Sequence, residues 1–149
     1  MHSIAIGCDP NAQAYKDKIV LYLKNKGYAV EDMGSDDPIY ANTAIDVAEA
    51  VAQKRYDLGV LICGTGIGMT ISANKVPGAY AALISDSYSA ERAKKSNNAN
   101  IACFGAFTLG YNLMENLLDI FLNSDYKTGT SSEPKVNRIK EFEKELLNC

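Results

Sequence analysis

Leu58-Gly59-Val60-Leu61-Ile62-Cys63-Gly64-Thr65-Gly66-Ile67-Gly68-Met69 is the stretch on which the fold turns. Its first five residues are aliphatic or glycine and carry no charge. Such a run suits a strand buried on both faces. Glycines at 64, 66 and 68 then let the backbone turn sharply and approach a ligand closely. Met69 to Lys75 contains no Gly or Pro, and Pro77-Gly78 closes it, so a helix is predicted to begin near Ile67. A strand, a glycine turn and a helix N-terminus together offer free N–H donors and the positive end of a dipole. Cys63 stands at the tip of the strand, where a helix N-terminus favours a thiolate.

Known glycine loops do not fit this spacing. A P-loop needs Gly-Lys-Ser/Thr after four spacers, and that is absent. A dinucleotide fingerprint needs Gly-x-Gly-x-x-Gly, whereas here the glycines alternate. A cysteine-phosphatase cradle wants an arginine about six residues beyond the cysteine; Met69 stands there. Two readings remain. Either the loop holds an anion and presents a thiol, or it is a tight strand-to-helix turn with an inert buried cysteine.

The 149 residues suffice for one domain with a real core, and 47% are hydrophobic, which argues against disorder. A net charge of −3 leaves no basic field for nucleic acid. No stretch approaches the apolar length of a membrane span, and Met-His-Ser-Ile-Ala-Ile lacks the basic start of a signal peptide, so a cytosolic place is expected. The cysteines are Cys8, Cys63, Cys103 and Cys149; none forms a Cys-x-x-Cys pair, which argues against a zinc site, and in a reducing cytosol disulfides are not expected. His2 is the only histidine and reads as a solvated terminal residue, so catalysis cannot lean on imidazole from within the chain.

Along the chain, Ser3–Cys8 reads as a strand closed by Asp9-Pro10-Asn11, and Ala12–Lys26 as a helix ending at Gly27. Residues 28–33 are a second strand and 40–54 a second helix. After the central strand come a strand over 79–84, a helix over 88–95 capped by Ser85-Asp86-Ser87, and a strand over 101–104. A helix over 111–122, a polar stretch from Ser124 to Pro134 and an amphipathic helix from Lys135 to Leu147 follow. The β-α alternation predicts a three-layer α/β/α sandwich around a five-stranded parallel sheet. In the common order 2-1-3-4-5 the first and third strands meet at the switch point, which brings Asp9 and Cys63 to one crevice. The last helix has no strand after it; it packs on its own domain or reaches a partner subunit.

The motifs Ile-Gly-Cys-Asp (6–9), Ile-Cys-Gly-Thr-Gly-Ile-Gly-Met (62–69), Ala-Asn-Lys-Val-Pro-Gly (73–78) and Asn-Asn-Ala-Asn-Ile (97–101) resemble the ribose-5-phosphate isomerase B and galactose-6-phosphate isomerase family. The resemblance spans roughly residues 3–142 of a single domain over 1–149. It implies a Rossmann-like sandwich, aldose–ketose isomerisation of a sugar phosphate without metal or cofactor, and active sites between subunits. It assigns Cys63 as the base, and Gly64, Thr65, Gly66 and Gly68 as the loop that holds the enediolate oxygen. Asp9 would contact substrate hydroxyls or the ring oxygen, and Asn97 would reach the substrate from a neighbouring subunit. Lys135, with Arg138 nearby, falls close to a phosphate-binding arginine of the family, and three-residue spacing puts the two on similar faces of a helix. Arg92 is a further cation, in mid-helix.

This chain departs from the family pattern at several places. Asp9-Pro10-Asn11-Ala12 replaces Asp-His-x-Gly; Ser96 stands where a histidine precedes the matching Asn97; Asp37 precedes Pro38 in place of a tyrosine; and residues 128–133 replace Gly-Gly-Arg-His. The C-terminal region looks closer to the B subunits of galactose-6-phosphate isomerases, which work in hetero-oligomers. Three readings follow: a homodimeric or homotetrameric isomerase, one half of a hetero-oligomeric isomerase, or a non-catalytic sugar-phosphate-binding relative.

Overall fold

The computed structural model describes residues 1–149. Its strands are β1 (Ser3–Cys8), β2 (Ala29–Asp32), β3 (Leu58–Cys63), β4 (Ala81–Leu83) and β5 (Ile101–Gly105). The helices are α1 (Gln13–Asn25), α2 (Tyr40–Ala52), α3 (Ile67–Ala73), α4 (Ser87–Lys95), α5 (Tyr111–Leu122) and α6 (Glu133–Leu147). All strand pairs are parallel, and the sheet order is β2-β1-β3-β5-β4.

That order corrects the expected 2-1-3-4-5. The fifth strand, not the fourth, lies beside β3, with Cys63 opposite Gly105. Burial supplies the reason. Every residue of β5 is buried, whereas β4 has only three residues, none fully buried, and Leu83 is exposed. The longer, fully apolar strand takes the interior position and the short one takes the edge. The central prediction stands: all six residues of β3 are buried, and α3 starts at Ile67.

Alternation along the strands sends side chains to two separate cores. Ile4, Ile6, Val60, Ile62, Ala102 and Phe104 pack with Ile19 and Leu23 of α1, Ala90 of α4 and Leu117, Leu118 and Phe121 of α5. On the other face Ala5, Leu61, Cys63 and Cys103 pack with Val47 and Val51 of α2 and Met69 of α3. Burying a side chain such as Ile62 or Phe104 contributes about 1.5–3 kcal/mol each. Asp86 caps the start of α4, its carboxylate accepting the Ser89 N–H at 2.7 Å. The sequence pattern passed over one buried cation. Lys16 of α1 is 3% exposed, and its ammonium lies 2.6 Å from Asp32 and 3.0 Å from Asp17. Burial opposes its charge, but hydrogen bonds to these carboxylates win, and its pKa stands above the ordinary lysine value.

α6 packs on its own chain through buried Val136 and through Glu143. The Glu143 carboxylate accepts the Gly78 N–H at 2.9 Å and the Tyr80 hydroxyl at 2.7 Å. Burial and that carboxylate push the Tyr80 hydroxyl pKa up to about 12. Ile139, Phe142, Leu146 and Leu147 of the same helix are exposed.

Candidate active site

In register, Cys8 lies opposite Ile62, and the Asp9 N–H donates to the Ile62 carbonyl at 3.3 Å. Asp9 and Cys63 therefore leave adjacent strands side by side at the carboxyl edge of the sheet. Both are nearly enclosed, Asp9 at 7% and Cys63 at 4% exposure. The Asp9 carboxylate caps a short 3-10 turn over Pro10–Ala12, accepting from the Asn11 N–H at 3.1 Å and the Asn11 side-chain amide at 3.3 Å. Those bonds fix its orientation.

The loop between β3 and α3 is shaped by Gly66, which caps α3 at φ +80°, a conformation that L side chains rarely adopt. Its N–H turns back and donates to the Cys63 sulfur at 3.1 Å, holding the thiol in place. The Ile67 N–H goes to the Thr65 hydroxyl at 3.2 Å. The N–H groups of Gly64, Thr65, Gly68 and Met69 donate to nothing in the chain. Unsatisfied donors at the start of a helix are able to receive an anion. Gly68 leaves room for the Tyr40 ring, which a Cβ there would meet at 2.4 Å. Just past β5 the Ala106 N–H donates to the Cys63 carbonyl and the Phe107 N–H to the Gly64 carbonyl, both at 2.8 Å. The Phe107 ring, 72% exposed, thus stands at the mouth of the loop.

The remaining expected site residues lie elsewhere. Asn97 follows α4, which runs back to the amino edge. There Asn100 accepts the Gly59 N–H with its carbonyl and the Tyr80 N–H with its side chain. Lys135 and Arg138 sit on α6 at that same edge, because Glu143 anchors the helix just ahead of β4. Arg138 is already held, with Glu145 at 3.0 Å and Glu141 at 3.7 Å. His2 is at the amino edge too, 3.9 Å from Asp57. A six-residue strand such as β3 spans roughly 20 Å, so one chain does not bring Cys63 and Asn97 together.

Sequence reasoning missed the Met69 N–H, because a backbone donor leaves no mark on residue type. Of the four thiols, Cys8 and Cys103 lie within strands and Cys63 at a strand tip. Burial pushes the pKa of Cys8 and of Cys103 up to about 12. Both are therefore protonated and enclosed at pH 8, whereas Cys149 is exposed. Iodoacetamide followed by peptide mapping on a Cys149→Ser protein is expected to label Cys63 well before Cys8 or Cys103; equal labelling of all three would remove the case for a reactive thiol.

A thiol, a carboxylate and a row of free N–H groups thus meet at the carboxyl edge of a parallel α/β sandwich, the edge at which such sheets bind ligands. The chain belongs to the family described as Ribose/Galactose Isomerase, whose profile it matches over residues 4–139. It is 46% identical over 143 residues to the ribose-5-P isomerase B of Listeria innocua, covering 94% of this chain and 96% of that one. It is 43% identical over 147 residues to the D-erythrulose-4-phosphate isomerase of Pectobacterium atrosepticum, covering 96% of each. Its structure superposes on that of the ribose-5-phosphate isomerase B of Clostridium thermocellum with a TM-score of 0.91, at 37% identity, over 97% of this chain and 99% of that one. The resemblance read from the motifs is thus borne out: this is a chain of the sugar-phosphate aldose–ketose isomerases.

Proposed function

We propose that the protein interconverts an aldose phosphate and its ketose through an enediolate, with Cys63 as the base. The carrying observation is the Cys63 sulfur held within a loop whose Gly64, Thr65, Gly68 and Met69 N–H groups are unpaired. The thiolate removes the proton from the carbon next to the carbonyl. The electron pair moves onto the carbonyl oxygen, where the free N–H groups receive the charge. The proton returns to the neighbouring carbon, and the hydroxyl proton passes between the two oxygens. The Thr65 hydroxyl accepts from Ile67, so its own O–H stays free for that transfer. Asp9 orients the substrate hydroxyls. Gly66 serves by its turn, since its N–H is engaged by sulfur.

Asn97, Lys135 and Arg138 act in this reading on the substrate of a second copy, whose carboxyl edge meets this chain's amino edge. The working unit is therefore a dimer or a larger assembly. Identities of 46% and 43% to enzymes named for different sugars do not rank the substrates, so ribose 5-phosphate, D-erythrulose 4-phosphate and galactose 6-phosphate are all tested. The purified chain is expected to turn over one of them and to show at least a dimer mass by light scattering. Turnover only after a related subunit is added would make it half of a hetero-oligomer. No turnover in either case would leave a sugar-phosphate-binding relative.

A further inference from the structure

Lys16 is a cation where the helix pattern asks for an apolar residue. The buried residues of α1 are Lys16, Ile19 and Leu23, with Ala12 buried just ahead of them. They form one stripe at helical spacing, and its apolar members pack on the sheet. A methionine at position 16 would fill the space without desolvating a charge, and buried ion pairs replaced in that way often lose no stability. Packing therefore does not account for the ammonium. Nor do its partners need it: the Asp17 and Asp32 side chains are 56% and 38% exposed, so water can serve both carboxylates.

What the ammonium reaches is the end of β2. Asp32 is the last residue of that edge strand and lies opposite Ile6. One of its oxygens accepts from the Lys16 ammonium at 2.6 Å, and the other accepts the Gly34 N–H at 3.0 Å. Gly34 stands at φ +115°, and its carbonyl accepts the Cys8 N–H at 3.1 Å. With the Met33 N–H on the Ile6 carbonyl at 2.8 Å, this turn continues the pairing of β1 beyond the point where β2 stops. Cys8 is the last residue of β1, and Asp9 comes next. The Asp9 carboxylate caps the 3-10 turn that leads into α1, the helix that carries Lys16. The path thus closes on itself, from α1 through the ends of β2 and β1 and back to α1, with Asp9 at its corner.

We infer that Lys16 is a positioning residue: through Asp32 and the Gly34 turn it fixes the strand end that carries Asp9, and so sets the place of the carboxylate that orients the substrate hydroxyls. The inference rests on the isomerase reading above for the role of Asp9, but not for the placing of the strand end. A small misplacement of an orienting group is felt in the transition state more than in binding, so its mark is on kcat. Lys16→Met keeps the length of the side chain and removes its charge, whereas Lys16→Arg keeps the charge. Asp9→Asn, and the double variant Lys16→Met with Asp9→Asn, complete a cycle. Asp32→Asn keeps an acceptor for Gly34 and weakens the hold of Lys16, and it stands in if the methionine variant does not fold. The readouts are Tm, amide hydrogen exchange by NMR, and kcat and KM for the sugar phosphate that the unmodified protein turns over fastest.

Lys16→Met is expected to melt within about 3 °C of the unmodified protein. Exchange at the Cys8 and Asp9 amides should quicken about tenfold, while Val60 and Ala102 in the middle of the sheet stay unchanged. The value of kcat should fall about tenfold, with KM within about threefold, and Lys16→Arg should recover most of the loss. Asp32→Asn should move exchange and kcat in the same directions. In the Asp9→Asn background the methionine substitution should change kcat less than about twofold. Additive losses in the cycle, or exchange that quickens equally across the sheet, would make Lys16 a stabilising residue only and overturn the proposal. Unchanged exchange at Cys8 and Asp9 would overturn it too, as would quickened exchange with unchanged kcat. If no sugar phosphate is turned over, the isomerase reading falls by itself, and exchange at these two amides still decides whether Lys16 holds the strand end.

Discussion

Cys63→Ala is expected to lower kcat by about a thousandfold with KM changed only a few-fold. A positioned general base contributes about 10²–10⁴ in rate, and no other group at the carboxyl edge can replace this one. The sole histidine lies at the opposite edge beside Asp57. Asp9 is bound to Asn11 through both oxygens, which leaves it poorly placed to take a carbon-bound proton. The substitution removes one sulfur from a buried site, so the loss in stability should stay near 1 kcal/mol and the fold should persist. Cys63→Ser is a second check. It keeps the shape and an acceptor for the Gly66 N–H but lacks the nucleophilic basicity of a thiolate, and it should be almost as slow. Turnover above about a tenth of the unmodified rate in the alanine variant would remove Cys63 from the proton transfer.

Gly66→Ala should be the most damaging single methyl group in the molecule. At φ +80° a Cβ is strained by about 1–2 kcal/mol. It would also stand 2.6 Å from a Leu83 methyl and 2.8 and 2.9 Å from the Phe104 carbonyl carbon and oxygen. Leu83 is a side chain at an exposed edge and can move; the Phe104 backbone is in the centre of the sheet and cannot. Overpacking of this kind adds about 1–3 kcal/mol, so a total near 3 kcal/mol is expected, with a drop in Tm of about 10 °C. Activity should fall with it, because the same residue directs an N–H onto the Cys63 sulfur. Gly110→Ala is the comparison: its φ is −68° and nothing lies within 4 Å of the added Cβ, so under about 1 kcal/mol is expected. Equal melting points for the two variants would show that the loop tolerates a different backbone.

The central strand and the start of α3 were legible because burial and turn chemistry act locally. Leu58–Ile62 is apolar without interruption, and glycines end it. Sheet order was not legible in the same way. Residues 79–84 and 101–104 are both short apolar runs, and nothing in either says which will be flanked on both sides. The difference arises only in packing, where Ile101 to Gly105 is covered throughout and Ala81 to Leu83 is not. At the site, Cys63 and Asp9 were legible as side chains at strand ends. The free Met69 N–H was not, since it belongs to the backbone. The spacing of Lys135 and Arg138 was read without the acids around it. Glu141 and Glu145 follow Arg138 at three and seven residues, and both reach its guanidinium.

The thiol and the cations are held at opposite edges of one sheet, and under the two-copy reading each chain is both a donor and a recipient. Its errors then do not fall where they are encoded. A chain that loses its cations damages its neighbour's site and keeps its own, and a chain that loses its thiol still serves its neighbour. After a gene duplication, two copies can therefore decay in complementary halves and remain viable as a pair. Each then depends on the other, with no new contact having evolved. In such a fold the step from a homo-oligomer to an obligate pair of unlike subunits requires only loss.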